Sequence, residues 1–291
     1  MPRDEPLFAG EAAAEAFADA LPTRELGRAV AFHPRASSTN DLALEAARAG
    51  APHGLLVAAD EQTAGRGRRG RTWEAPPGAA LLFSVLVRGE RLPRERFGWL
   101  ALAAGLAAAE ALHEAAGLKA VPKWPNDVVV TSAAARAPAP AWRKLGGVLC
   151  ESQLPPDPRG AAGAGYVVIG MGLNVLQDAH ELPPLPKAPA TSVKLELGRE
   201  TGRRELLAAV LARLELRLDE LGDDDGFTRF RAELGARLEH AWGGLTLHLT
   251  SAGKERAGRW AGLDEHGRLR LALPDGSVAA LADAEILAVS R

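Results

Sequence analysis

Cysteine occurs only once in this chain, at Cys150, so no internal disulfide can staple the fold. A single cysteine fits a reducing cytoplasm, and its place in an apolar run predicts packing, not nucleophilic chemistry. No apolar run of about 18 residues free of charge occurs, so no transmembrane helix is indicated and no membrane partner is expected. The start, Met1-Pro2-Arg3-Asp4-Glu5, lacks the basic-then-apolar order of a signal peptide. Net charge is also small, −2. A nucleic-acid-binding domain is usually basic over a whole face, so no DNA partner is expected. There is no internal repeat. What remains is 291 residues with 47% hydrophobic content, enough for one large core plus a small domain.

Positive charge is concentrated instead in one stretch, Gly65-Arg66-Gly67-Arg68-Arg69-Gly70-Arg71-Thr72-Trp73. Its glycines let backbone approach a ligand closely. Its arginines supply forked donors suited to phosphate or carboxylate. Lys123-Trp124-Pro125-Asn126-Asp127 adds a lysine, an amide and a carboxylate. Together they point to a site where an anionic small molecule meets a nucleotide. Gly65, Gly67 and Gly70 satisfy a dinucleotide fingerprint, but that needs a helix starting at the glycines. Pro76, Pro77 and Gly78 do not open one. The Walker pattern fails because no Gly-Lys-Ser/Thr follows. By itself, the loop could also be a solvated basic turn.

These two strings resemble those of the biotin protein ligases. Three more agree in order and spacing: Ser37-Ser38-Thr39-Asn40, then Lys144-Leu145-Gly146-Gly147-Val148-Leu149-Cys150-Glu151, then Ile169-Gly170-Met171-Gly172-Leu173-Asn174-Val175. The resemblance spans about residues 37–175. It implies an α+β fold: a catalytic domain like that of class II aminoacyl-tRNA synthetases, with a mixed sheet and helices, then a small β-barrel. The expected division is a short leader (1–30), a biotin- and ATP-binding catalytic domain (31–240) and the barrel (241–291). The leader is too short for the helix-turn-helix repressor domain some members carry, so no operator binding is expected.

The resemblance also implies the chemistry. Biotin's carboxylate attacks the α-phosphate of ATP, giving biotinyl-5′-adenylate and pyrophosphate. A lysine of a biotin carboxyl carrier domain then takes the biotinyl group, and AMP leaves. Cations and Mg²⁺ must offset the repulsion of two anions. By resemblance Lys144, Arg66, Arg68, Lys123 and Asp127 are catalytic, and a structural ion pair stays open for Lys123 and Asp127. Ser38, Thr39, Asn40 and Gln62 would bind biotin. So would Gly65, Gly67, Gly147, Gly170 and Gly172, which admit backbone or ring. Arg69, Arg71, Trp73, Asn126 and Asn174 would join Arg66, Arg68 and Lys144 around the nucleotide. Metal ligands are not assigned. The arginine loop is expected to be mobile without ligand and to close over the adenylate.

Periodicity gives the elements. Helices are expected at 10–21, 41–48, 97–117 and 203–221, the last on Leu207, Leu211, Leu214, Leu218 and Leu221. Ser37, Ser38 or Thr39 would cap the second. Strands are expected at 31–34, 55–59, 80–87, 128–130, 145–151 and 166–171, then at 245–250, 255–263, 269–273 and 277–280. Asp223–Asp225 reads as a solvated turn. Residues 131–142 and 182–189 read as loops. At the end, Ala282-Asp283-Ala284-Glu285-Ile286 departs from the Gly-Glu turn of many relatives, leaving the barrel's contacts open. A lipoate ligase, sharing fold and chemistry, and a non-catalytic sensor are the rivals. A homodimer through sheet edges stays open.

Overall fold

The computed structural model describes residues 5–131, 142–155, 165–184 and 189–290. Its main layer is a seven-stranded mixed sheet. The strands are β1 (Val30–Ala36), β2 (Leu56–Gln62), β3 (Ala80–Arg88), β4 (Val121–Lys123), β5 (Asp127–Thr131), β6 (Trp142–Gln153) and β7 (Tyr166–Asn174). They lie in the order β1-β2-β3-β7-β6-β5-β4. Only β1 and β2 run parallel; the other neighbours are antiparallel.

Side chains alternate across a strand, so each central strand serves two layers. Leu81, Phe83 and Val85 of β3 join one core with α3 (Leu100–Ala116) and α5 (Arg203–Gly222), the latter preceded by the short α4 (Val193–Leu197). Leu86 of β3 and Val168 of β7 join a second, smaller core under α2 (Thr39–Arg48). α3 is buried almost all round, as an alanine- and leucine-rich helix without a polar face must be. The active-site residues lie on the α2 side of the sheet, where Ser84 and Gly170 face each other in register.

Residues 5–30, expected as a short leader, are packed against this body. Leu7 and Phe8 are buried. The Phe8 ring lies 5.0 Å from that of Phe17, on α1 (Glu11–Ala20), and 5.3 Å from that of Phe32. The Asp60 carboxylate accepts the Leu7 N–H at 3.1 Å and pairs with Arg203 at 2.6 Å. Both charges are buried, so removing either strands the other, at a cost of about 3–5 kcal/mol.

One helix went unread in the sequence. Residues 223–225, expected as a solvated turn, start α6 (Asp224–Trp242) instead. Asp223 is its N-cap, its carboxylate accepting the Gly226 N–H at 2.6 Å. The acids follow a helix end in sequence, but they also open the next helix, where the dipole favours them. Phe230, Leu234, Leu238 and Trp242, one turn apart, form its buried stripe.

The C-terminal β unit is an antiparallel sheet of β8 (Thr246–Ser251), β9 (Lys254–Leu263), β10 (Leu269–Ala272), β11 (Val278–Leu281) and β12 (Glu285–Ser290), in the order β11-β10-β9-β8-β12. The last strand was not anticipated, and its first residues reach the site. Three indoles tie this unit to the larger one: Trp99 donates to the Glu265 carbonyl at 3.1 Å, Trp124 to that of Gly267 at 3.0 Å, and Trp260 of β9 to the Glu239 carboxylate of α6 at 2.8 Å. The expected loops at 131–142 and 182–189 lie largely outside the described residues, as does most of the Pro/Gly-rich stretch between β6 and β7.

Candidate active site

The arginine stretch folds as a closed hairpin. Gly65 and Trp73 close it, with the Trp73 N–H donating to the Gly65 carbonyl at 2.9 Å. A Cβ on Gly65 would sit 2.3 Å from the Trp73 carbonyl oxygen, so only glycine fits there. Arg69 and Gly70 turn the tip at positive φ, 59° and 71°. Each loop arginine already holds a carboxylate. Arg66 pairs with Glu151 at 2.6 Å and Asp41 at 2.7 Å. Arg68 and Arg69 share Asp283 at 2.8 and 2.9 Å. Arg71 contacts Glu285. The loop thus contacts β6 and α2 at its near end and the segment entering β12 at its far end.

Lys123-Trp124-Pro125-Asn126-Asp127 forms the turn between β4 and β5, pairing Lys123 with Asp127 in register. Asn126 fastens this turn to β6. Its amide donates to the Val148 carbonyl at 2.7 Å, and its oxygen accepts from Arg68 at 3.2 Å. On β6 a bulge lets Val128 pair with Gly146 but Val129 with Lys144, skipping Leu145. This brings Lys144 onto the same side as Gly147, with Nζ 3.6 Å from where a Gly147 Cβ would be.

Lys144 then meets Asp127 at 2.6 Å, while Lys123 contacts the other carboxylate oxygen at 3.3 Å. Lys123 is buried, with the Trp142 ring 5.0 Å from its ammonium. Burial lowers the Lys123 pKa, and Asp127 only partly offsets this. For Asp127 burial acts upward, but the two ammonium groups outweigh it and hold the carboxyl below its ordinary value.

These parts surround a cavity of about 330 Å³, within the range of small-molecule sites. Lining it are Ser38, Thr39, Asn40, Gln62, Arg66, Gly67, Arg68, Arg69, Arg71, Trp73, Lys123, Asn126, Asp127, Lys144, Gly147, Gly170, Gly172 and Asn174. Among the residues singled out from sequence, Gly65 alone is off the wall; it closes the hairpin. α2 points its N-terminus into the cavity, a favourable end for polar or anionic groups. Ser38 occupies the cap position without a side-chain cap, and Gln62 takes the Thr39 N–H at 2.7 Å instead.

The glycines divide by role. A Cβ on Gly172 would lie 2.5 Å from the Trp73 indole, so Gly172 seats that ring. The Trp73 indole nitrogen is buried over Gly172 and has no hydrogen-bond partner among the described residues. Asn174 faces the cavity, but its amide donates to the Thr191 carbonyl and its oxygen accepts from Gln177. Sequence reasoning missed the carboxylates: Asp41, Glu151, Asp283 and Glu285. The clustered arginines were a signal that such partners would be needed. Ala284, Glu285 and Ile286 also line the cavity, as do Trp142, Val148 and Leu149.

The family model described as "Biotin/lipoate A/B protein ligase family" matches residues 32–174. The chain is 36% identical over 242 residues to the biotin–[acetyl-CoA-carboxylase] ligase of Mycobacterium tuberculosis, covering 80% of this chain and 79% of the relative. It is 30% identical over 262 residues to the bifunctional ligase/repressor BirA of Bacillus subtilis, covering 88% and 73%. Among solved structures, the biotin protein ligase of Aquifex aeolicus in complex with biotin and ATP aligns with a TM-score of 0.70 and 26% identity. It covers 90% of this chain and 98% of that one.

Proposed function

Because the chain belongs to the biotin protein ligase family, we propose that this cavity is where biotin's carboxylate meets ATP. The protein is an ATP-dependent ligase that activates biotin as biotinyl-5′-adenylate and transfers it to a lysine of a biotin carboxyl carrier protein. One biotin carboxylate oxygen attacks the α-phosphorus, and the bond to the bridging oxygen breaks, releasing pyrophosphate. The carrier lysine, as free amine, then attacks the acyl carbon, and AMP leaves with the electrons of the acyl–oxygen bond.

The observation that carries the residue roles is the cation ring. Lys144 and Lys123 share Asp127, and four arginines line the same cavity. Two anions repel, and fixed cations lower the barrier only if they are aimed before reaction. Lys144 is the cation placed to touch both the biotin carboxylate and the α-phosphate. Arg66 and Arg68 flank it, while Arg69 and Arg71 reach the outer phosphates. Ser38, Thr39 and Gln62, at the α2 end, meet the polar edge of the bicyclic ring. Trp73, whose ring lines the cavity, covers the adenylate and keeps water from the anhydride.

Mg²⁺ would enter as the counter-ion of ATP, held mainly by phosphate and water. Among the described residues no three His, Cys, Asp or Glu side chains converge on one point. A cytoplasmic setting accords with the unpaired Cys150.

Pyrophosphate exchange into ATP, run with biotin and separately with lipoate, tests the reading. Biotin-dependent exchange is the expected result. Exchange with lipoate alone would assign the cavity to the other substrate of the family, and no exchange from folded protein would favour a sensor.

A further inference from the structure

Asn40 opens α2 and Arg66 opens the arginine hairpin, yet one carboxylate holds both. Glu151, on β6, accepts from Arg66 Nη1 at 2.8 Å and Nη2 at 2.6 Å. Its Oε2 also accepts from Asn40 Nδ2 at 2.7 Å. The rest of the Asn40 amide is used inside the protein. Its oxygen accepts from Ser84 Oγ at 2.6 Å, and Nδ2 also reaches the Leu149 carbonyl at 3.3 Å. Gly170 makes room for this: a Cβ there would stand 1.9 Å from Asn40 Oδ1. Asn40 is 4% exposed and Ser84 0%, so the assembly is anchored in the body of the protein.

Glu151 itself does not line the cavity, whereas Arg66 and Asn40 do. An arginine fork on a carboxylate fixes direction as well as distance. We propose that Glu151 is a positioning residue for adenylate formation, acting through Arg66 and Asn40 to lock the near end of the arginine loop to the biotin-side wall. This rests on the ligase reading above. The full carboxylate is required. A glutamine has one acceptor oxygen and one donor nitrogen, so in either orientation its N–H₂ would face an arginine nitrogen, and in one of them the asparagine amide as well. Asp41 does not replace it, because it meets a single Arg66 nitrogen from a side chain that is half exposed. The Arg66–Glu151 pair is itself partly exposed, so the fold does not depend on it.

The test is steady-state pyrophosphate exchange by the full chain, comparing wild type with Glu151→Gln, Glu151→Ala, Arg66→Ala and the Arg66→Ala/Glu151→Gln double variant. Both Glu151 variants should lower kcat/KM for biotin about tenfold or more. The KM for ATP should move less than about threefold, because Arg68, Arg69 and Arg71 keep their own carboxylates. In the Arg66→Ala background, Glu151→Gln should cost less than about threefold more, the remainder running through Asn40. Unchanged biotin kinetics in Glu151→Gln overturn the proposal. So do penalties that multiply in full in the double variant, or a rise in ATP KM equal to that for biotin. If Glu151→Ala fails to fold, the isosteric Glu151→Gln carries the same comparison. A wild-type protein without biotin-dependent exchange overturns the ligase reading, and the proposal with it.

Discussion

The Lys144 ammonium lies 2.6 Å from the Asp127 carboxylate, and that carboxylate is shared with the buried Lys123 at 3.3 Å. One acid therefore aims one lysine into the cavity and neutralises another beneath it. Truncating Lys144 removes a cation where charge develops on the α-phosphate. Lys144→Ala should lower kcat/KM for adenylation by about 100-fold or more while the melting temperature stays near wild type. Asp127→Ala should lower both, since it leaves Lys123 buried without a counter-charge. Wild-type exchange rates in Lys144→Ala would sink the assignment.

The same triad makes stability depend on pH. Asp127 has a depressed pKa in the fold, so it contributes stability that is fully present above its unfolded value, about 4, and lost as pH falls through its folded value. Lys123 is also lowered, by burial first. Between its folded value and about 10.4 the unfolded chain binds more protons, so this group's contribution rises with pH. Urea denaturation at stepped pH should show wild type losing stability below about pH 4 more steeply than Asp127→Asn. Equal acid slopes would show that the triad does not set the dependence.

Gly172 seats the Trp73 indole. A methyl at residue 172 would stand 2.5 Å from the ring, and the ring, not the strand, must yield. Gly172→Ala should therefore move Trp73 off the cavity wall. Exchange activity should fall about tenfold or more, and the tryptophan emission should shift. If activity and emission are both unchanged, Trp73 is not a wall of the working site.

Asp283 holds Arg68 and Arg69 at the mouth of the cavity. Triphosphate must take those guanidinium groups from it, so the carboxylate competes with the nucleotide. Asp283→Asn should lower the KM for ATP about two- to fivefold and make it more sensitive to salt, because the freed arginines then meet phosphate directly. A higher KM would mean that Asp283 aims the arginines and does not compete for them.

Cys150 should be inert. Burial pushes its thiol up to about 12, with Arg68 opposing only in part, and the thiolate is the reactive form. Iodoacetamide at pH 8 should label the folded chain far more slowly than the unfolded one, and exchange activity should survive the treatment. Rapid labelling with loss of activity would contradict this.

Much of the site was legible because its residues come in short runs. The arginine hairpin, the Lys123–Asp127 turn and the glycine strands each keep their members adjacent, so all the residues singled out from sequence except Gly65 lie on the cavity wall. α6 was not read. Its stripe of Phe230, Leu234, Leu238 and Trp242 is present in the sequence, but Asp223–Asp225 reads there as a solvated turn, whereas it caps and starts the helix. The carboxylates facing the arginines were not read either. Asp41, Glu151 and Asp283 sit in different elements, and no local pattern marks an acid as the partner of a particular arginine.

The sequence by itself determined most of the strands and helices, though not α6 or β12, together with the glycine positions and the dense positive loop, since these follow from periodicity and from residue chemistry within a few positions. Only the tertiary structure decided which carboxylate each arginine holds, that Gly170 makes room for Asn40 while Gly172 seats Trp73, and that a bulge turns Lys144 toward Asp127. Those outcomes depend on register and on which faces meet across the sheet. A one-residue shift in pairing reverses the face a side chain occupies, and no local stretch of sequence encodes that.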